Sequence, residues 1–375
     1  LKIVHVLSYF KPDAGYQENL LTVGQYEIGN DVYIITSRYE PDFSFNKNSR
    51  IYELGEYDYK GVKIIRVKSL YENKNRFVIL KNLYVYLEKI NPDLIFFHDH
   101  SPQLLTCVRY VKKHPHTRLV VDIHSTLNNS MSTIIGKIYH KVFWKKIIQK
   151  IQKYYYKVFY VAPESKDFAI RIYGINESKL EHLPLPGDCS LLDRYNEIRQ
   201  NVRNKFGVSE REKIIFHTGK MSERKKTLEV LKAFSKLSNE NYKLFLVGSV
   251  EDKLMNSLKN FLEKDSRIEY LGWATASELK KLLIGGDVLL QPGSLSHVFI
   301  DGICAGLPLI LSKTPQNEYL TRNGNGFLIE KPTVESILYA IKHVLNENNL
   351  YKYKEKTFAI SKEFHYINIA KKSIQ

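Results

Sequence analysis

Along this chain, short apolar runs alternate with longer segments whose apolar positions recur at helical spacing. Residues 2–7, 31–36, 62–67, 93–97, 118–123 and 158–161 read as strands. Residues 15–28, 76–90, 103–113 and a segment starting near Ser165 read as helices, two of them closed by Gly29-Asn30 and Asn91-Pro92. Residues 37–60 are polar and aromatic without clear period and read as a long loop; residues 132–156 read as one long basic and aromatic helix. Pro184-Leu185-Pro186-Gly187 has the punctuation of a domain linker. The alternation restarts at Lys213 and continues to about Leu345, and residues 351–374 read as a final helix. Strands separated by helices of this length predict parallel sheets with right-handed crossovers. Two such blocks in series predict two doubly wound α/β domains facing each other across a cleft.

Composition fits that picture. A chain of 375 residues is longer than one hydrophobic core normally serves, so two domains of about 180 residues are expected. With 43% hydrophobic and 26% charged residues, disorder is disfavoured. No apolar run approaches the ~20 residues of a membrane span. The chain opens in a strand, so no signal peptide is expected, and it begins with Leu, so one or more residues are expected to precede it. Cys107, Cys189 and Cys304 are scattered, odd in number and outside any C-x-x-C spacing; they suit a reducing cytosol and argue against zinc or a disulfide framework. The net charge of +16 has three functional explanations, namely nucleic acid, an anionic membrane surface or phosphorylated substrates, and one bland one, a lysine-rich compositional bias.

The residues with chemical potential cluster where strands end. After the strand reaching His217 comes Gly219-Lys220-Met221-Ser222-Glu223-Arg224-Lys225-Lys226, four cations ahead of a helix. A helix N-terminus adds partial positive charge and free N–H groups, so this turn suits a diphosphate; alone, it equally describes a solvated charge run. Strands also end at Gly248 and ahead of Leu271-Gly272-Trp273. Pro292-Gly293-Ser294-Leu295-Ser296-His297 follows another strand and precedes a helix holding Asp301. Small residues there admit backbone N–H groups to a phosphate or sugar. Asp301 is either an acceptor for sugar hydroxyls or a surface acid favoured by the helix dipole, and His297 either meets a ligand or bonds locally.

In the first half, His98, Asp99 and His100 follow one strand and His124 another. Histidine polarises hydroxyls and titrates near neutrality, although a single histidine is more often a satisfied core or loop residue. Neither the His98–His100 spacing nor any evident acidic partner makes a metal site of them, so none is expected. Gly15-Tyr16-Gln17-Glu18 opens the first helix; it is not a G-x-G-x-x-G fingerprint, so no dinucleotide cofactor is expected. Between Lys137 and Lys157, lysines alternate with Ile138, Tyr139, Val142, Phe143, Trp144, Ile147 and Ile148. Such a helix lies in an anionic membrane interface or packs its apolar face on its own domain. No nucleic-acid module accompanies the basic charge, so nucleic acid is not expected as a partner.

Taken together, "SYFKPDAGYQENLL", "DLIFFHDHSP", "VVDIHSTL", "HTGKMSERKKTLEVLKAF", "LFLVGS", "IEYLGWATASELKKLLIGGDVLLQPG" and "IDGICAGLPLIL" resemble the retaining GT-B glycosyltransferases of the GT4 class, bacterial enzymes of cell-surface polysaccharide assembly among them. The resemblance covers nearly the whole chain. It implies two Rossmann-like domains, residues 1–195 on the acceptor side and 196–355 for the nucleotide-sugar, with residues 356–375 crossing back to the first. It implies transfer of a hexose or related sugar from a nucleotide-sugar to a hydroxyl acceptor, a glycan or lipid-linked glycan, with retention and without a metal or cofactor. His98, Asp301, Lys220 and Lys225 are then the catalytic set. Gly219, Lys226, Gly248, Trp273, Gly293, Ser294, Ser296 and His297 bind the donor, and Gly15, Tyr16, Glu18, His100 and His124 lie on the acceptor side. The implied location is cytoplasmic, at the inner membrane face if residues 137–157 touch lipid. The departures are that Lys220 stands at an Arg position, Tyr16 at a frequent Gly position, Asp301 at the position of a glutamate, and an earlier glutamate of the donor loop is absent. A divergent binding protein and an epimerase of the same fold are the alternatives.

Overall fold

The computed structural model describes residues 1–40, 50–73, 77–131, 133–238 and 240–375. It divides into two compact units, Leu1–Pro184 with Ile369–Gln375, and Leu185–Asn368.

The first unit contains β1 (Lys2–Val6), β2 (Asp31–Ser37), β3 (Gly55–Tyr59), β4 (Val62–Val67), β5 (Ser69–Asn73), β6 (Phe77–Leu80), β7 (Leu94–His98), β8 (Arg118–Ile123), β9 (Lys157–Tyr160) and β10 (Leu180–His182). Its eight-stranded sheet runs β10-β9-β8-β7-β1-β2-β4-β3. All pairings in it are parallel except β3 with β4. The central strands are buried on both faces, as a parallel sheet sandwiched by helices requires; Leu94, Ile95, Phe96 and Phe97 in β7 are all buried. The strand order reverses between β7 and β1.

The second unit contains β11 (Lys213–Thr218), β12 (Tyr242–Val247), β13 (Ile268–Tyr270), β14 (Val288–Gln291), β15 (Leu309–Ser312) and β16 (Gly326–Ile329). They form one parallel sheet, β13-β12-β11-β14-β15-β16, which reverses between β11 and β14. Beneath it lies a charged hub. Buried Asp287 accepts from Arg199 Nη2 at 2.9 Å, Arg203 Nη1 at 3.2 Å, Lys354 Nζ at 2.8 Å and the Ile214 amide at 2.9 Å. This ties the helices Tyr195–Lys205 and Glu347–Phe364 to the sheet.

Several expectations need correction. The division falls at Pro184, not 195, and only Ile369–Gln375 of the final stretch joins the first unit. The reason is visible in the helix Glu347–Phe364, which is held in the second unit by Lys354 on Asp287 and by Ile360 and Phe364 in that unit's core. The expected helix 76–90 is instead β6 followed by the helix Leu83–Ile90, and Arg76 lies outside the described residues. Of the expected loop 37–60, residues 41–49 lie outside the described residues, while 55–59 form edge strand β3, whose first four residues are exposed. The expectation that the cysteines are unpaired is also corrected. Cys189 and Cys304, 115 residues apart, are joined as a disulfide with a Cα–Cα distance of 4.4 Å. A pairing created by the approach of a post-linker segment to the end of the helix Val298–Cys304 leaves no trace in spacing. Cys107 is free and buried. Among the described residues, no helix is long and apolar enough to cross a membrane.

Candidate functional site

Open α/β sheets bind ligands beyond the carboxyl ends of their strands, at the point where strand order reverses. In the first unit that point is flanked by the turns after β1 and β7, which carry Gly15–Glu18 and His98. In the second it is flanked by the turns after β11 and β14, which carry Gly219–Lys226 and Pro292–His297.

In the first unit, β7 and β8 run in register with His98 opposite Asp122. Asp122 is fully buried. Its Oδ2 lies 2.9 Å from His98 Nδ1, 3.2 Å from His124 Nε2 and 3.3 Å from Gln17 Nε2, and its Oδ1 accepts from the Asp99 amide at 3.1 Å. Burial opposes ionisation of Asp122, but the histidines overcome it and hold the carboxyl well below the usual range. Burial likewise opposes charge on His124, and the Asp122 carboxylate outweighs it, pushing His124 up to about 9. His124 is therefore a cation at neutral pH. Its ring is 38% exposed, and its Nδ1–H has no partner among the described residues. His98 differs, because its other nitrogen lies 2.9 Å from His5 Nδ1, so both are taken by the protein. Burial raises the Glu18 carboxyl, with the His98 and His124 charges pulling the other way.

Asp122 is the residue that sequence reading missed. Its signal was present in "VVDIH", where strand alternation puts residues 122 and 124 on one side. Asp122 also supplies the acid thought to be absent, and with His98 and His124 it offers ligand atoms within 4.8 Å of one another. In this structure those atoms bond to one another, and both nitrogens of His98 are engaged.

His100 does not join this group. Asp99 adopts a left-handed backbone (φ 57°), which turns the chain after β7. The His100 ring is buried against Tyr173 and Trp144, at centroid distances of 4.7 and 5.9 Å. Its placement on the acceptor side is thereby corrected. Gly15 is left-handed (φ 75°), and Tyr16 is exposed at the start of the first helix, Gln17–Glu27.

In the second unit, the turns after β11 and β14 are stitched together. The Ser294 amide donates to the Arg224 carbonyl at 2.9 Å. Lys225 Nζ donates to the carbonyls of Ser294 (2.8 Å) and Leu295 (3.3 Å). Any Cβ at Gly293 would collide with the backbone of Arg224 and Lys225, so glycine is required there. Gly248 has φ 133° and lies so close to Gly219 that a Cβ would fall on the Gly219 carbonyl. Burial, then the neighbouring Arg224, push the Lys225 ammonium down to about 8. Lys220 is exposed, with Nζ 3.9 Å from Glu251. Lys226 pairs with Glu229 at 3.0 Å. His297 Nδ1 lies 3.7 Å from Asp301 Oδ2, one helical turn on, and its Nε2 is buried without a hydrogen bond. Ser296 is partly exposed and Trp273 is 69% exposed. The structure thus joins Lys225, Gly293 and Ser294 directly, and turns Lys220 and Lys226 toward other partners.

The family described as "Glycosyl transferases group 1" matches residues 198–357, and "Glycosyltransferase Family 4" matches residues 21–191. The chain belongs to the GT4-type glycosyltransferases, with the two-domain α/β architecture called GT-B. Among curated proteins it is 25% identical to an uncharacterized glycosyltransferase of Methanocaldococcus jannaschii, over 48% of each chain. It is also 25% identical to the N-acetyl-alpha-D-glucosaminyl L-malate synthase of Bacillus anthracis, over 40% of this chain and 41% of that one. These matches span less than half of either relative's length. Among solved structures, a glycosyltransferase from Rickettsia africae aligns over 100% of this chain and 96% of its own, at TM-score 0.71 and 19% identity. HepE of Anabaena in complex with UDP aligns over 100% and 98%, at TM-score 0.72 and 14% identity. At such identities these structures support the fold alone.

Proposed function

We propose that this protein transfers a sugar from a nucleotide-sugar to a hydroxyl acceptor, with retention at the anomeric carbon. The observation that carries the reading is that each unit places its candidate residues at a strand-order reversal. The second unit holds the donor: the turns after β11 and β14 meet at Gly293, and the Lys225 ammonium adds charge where a leaving diphosphate develops it. Asp301 orients the sugar. The first unit holds the acceptor side, with His124 donating its free N–H to a sugar or phosphate oxygen while His98 braces Asp122 from behind. No metal is needed in this scheme, because cations and helix N-termini neutralise the diphosphate. UDP bound to HepE is a property of that protein, and it makes UDP the first candidate here. A thermal-shift screen against UDP, GDP, ADP and their sugars tests the reading. One nucleotide and its sugar should raise the melting temperature by mass action, and that sugar should be slowly hydrolysed. Failure of every nucleotide-sugar to bind would remove the proposal.

The acceptor is read as a lipid-linked glycan of surface-polysaccharide assembly, reached at an anionic membrane. Support comes from the helical stretch 134–154. Trp144, Ile148 and Ile151 are buried in the first unit's core, whereas Ile134, Ile135, Ile138, Val142 and Phe143 are exposed, Ile135 at 81%. Seven lysines and no carboxylate lie between Asp122 and Glu164. Exposed aliphatic and aromatic groups among these lysines, of which Lys157 pairs with Glu181, fit the headgroup region of an anionic bilayer. Sedimentation with vesicles rich in an anionic phospholipid should pellet the protein at low salt, and Ile135→Asp should release it. Equal binding by this variant would clear the patch of the role.

A further inference from the structure

The buried histidine His5 has no place in the scheme above, yet it contacts His98 directly. Its Nδ1 lies 2.9 Å from His98 Nε2 and its Nε2 lies 2.6 Å from Gln25 Oε1. Gln25, on the helix Gln17–Glu27, donates its amide to Ser373 Oγ at 2.9 Å, and Ser373 donates its only hydrogen to the Ala370 carbonyl at 2.7 Å. All these residues belong to the first unit, Ser373 through the segment that returns to it. His5 and Gln25 are fully buried and Ser373 nearly so.

These bonds can be followed one hydrogen at a time. Ser373 has spent its hydrogen on Ala370, so it accepts from Gln25, and the Gln25 oxygen faces His5. His5 Nε2 must then carry a hydrogen. At the far end, His98 Nδ1 faces the Asp122 carboxylate and must also carry one. Between the rings, His5 Nδ1 and His98 Nε2 stand 2.9 Å apart and need a hydrogen between them, or two lone pairs collide. That makes three ring hydrogens, where two neutral imidazoles hold two.

We infer that His5 and His98 together hold one extra proton, locked in place by Gln25 and Ser373, so that His98 is a fixed cation beside Asp122. Of the two rings, His98 faces the Asp122 carboxylate at 2.9 Å and His5 faces only the neutral Gln25 amide, which puts the charge on His98 rather than on His5. His5, Gln25 and Ser373 are positioning residues: they keep His98 a hydrogen-bond donor on both sides and bar it from acting as a base. Discharging the pair requires Gln25 to flip and Ser373 to swing its hydrogen off Ala370, all in one reversal. The charged or titratable groups around the pair are Asp122 and His124 on and after β8, Glu18 on the first helix, and Asp99 after β7. The use made of this cation in catalysis rests on the transferase reading, whereas the proton count does not.

Nitrogen-15 spectra of the full chain labelled at histidine, assigned by single substitutions, test it without any substrate. Three hydrogens on the four ring nitrogens of His5 and His98 at neutral pH are expected, and two would overturn the inference. The lock is tested by two mild variants. Gln25→Glu offers only acceptors to His5 and should raise the pH at which the extra proton leaves. Ser373→Ala removes the bond that favours the charged arrangement and should lower that pH, by roughly five-fold in the protonation equilibrium, the worth of about one hydrogen bond. Ser373→Thr should restore it. Shifts of the same sign in the glutamate and alanine variants, or none, would refute the role of Gln25 and Ser373.

Discussion

At the β7–β1 end of the first unit, each charge has a buried complement: Asp122 is held between His98 and His124, and His98 is backed by His5. At the β11–β14 end of the second unit, Lys220 and Lys226 reach the separate surface acids Glu251 and Glu229, Lys225 is held by carbonyls, and shape is imposed by backbone, with Gly293 under Lys225 and Gly248 on Gly219. The first end is therefore held together by its own buried carboxylate and keeps its geometry without ligand. The second carries surplus positive charge, and a diphosphate would supply the missing complement. One side is built to position, the other to bind.

The sharpest way to break this contrast is Asp122→Asn. Among the described residues it removes the only carboxylate contacting both histidines, so His98 and His124 lose their shared buried partner. Breaking such a buried pair should cost about 3 kcal/mol of stability, and turnover should fall on the order of 10²–10³-fold. The sign of the pH effect follows from His124, whose folded value is raised. Its stabilising contribution is fully present below its ordinary value near 6.5 and is lost as pH rises through about 9. The stability gap between wild type and variant should therefore narrow from pH 6.5 to 9 in chemical denaturation. A constant gap would show that His124 takes no charge from Asp122.

A smaller effect is expected in the second unit. Lys225→Ala leaves the Ser294 and Leu295 carbonyls without their donor and removes the ammonium from the donor loop. Turnover should fall about 10²-fold, with the fold retained. Lys220→Ala is the internal contrast: that side chain is 58% exposed and reaches only Glu251, so a change of no more than a few-fold is expected. Equal losses in the two variants would mean that the basic turn acts as a diffuse charge rather than through one seated lysine.

How much of this was legible in the sequence follows the same division. The glycines, the basic turn and the parallel strands announce themselves through local pattern, because a βα turn is built from neighbours. Asp122, His5 and Gln25 did not, since a buried polar residue inside a strand or helix looks like noise in an apolar period until its partner on another element is known. Residues 55–59, 69–73 and 77–80 were missed for a related reason: short strands with exposed faces carry little hydrophobic signal. Asp287 is the warning on the other side. Its carboxyl is held far below the ordinary range, first against burial and then by Lys354 and Arg199, yet every partner is structural. A perturbed acid marks a site only when, as with Asp122, a partner such as His124 keeps an open atom.

The last predicted effect is a pH dependence of donor binding. In the free protein Lys225 has its ammonium pushed down to about 8, so part of the population is neutral at pH 8 and most of it at pH 9. A bound diphosphate favours the charged form and returns the value toward 10.5, so binding above pH 8 must be accompanied by proton uptake. Affinity for the nucleotide should fall as pH rises from 7 to 9.5, by at most about thirty-fold for one such group. The proton uptake should appear in titration calorimetry as a heat that varies with buffer ionisation enthalpy. Lys225→Arg, charged at every pH in this range, should flatten the profile. The first unit's residues should leave it unchanged, since their charges are complete before any donor arrives, and a profile that instead followed Asp122→Asn would assign the phosphate to the wrong unit.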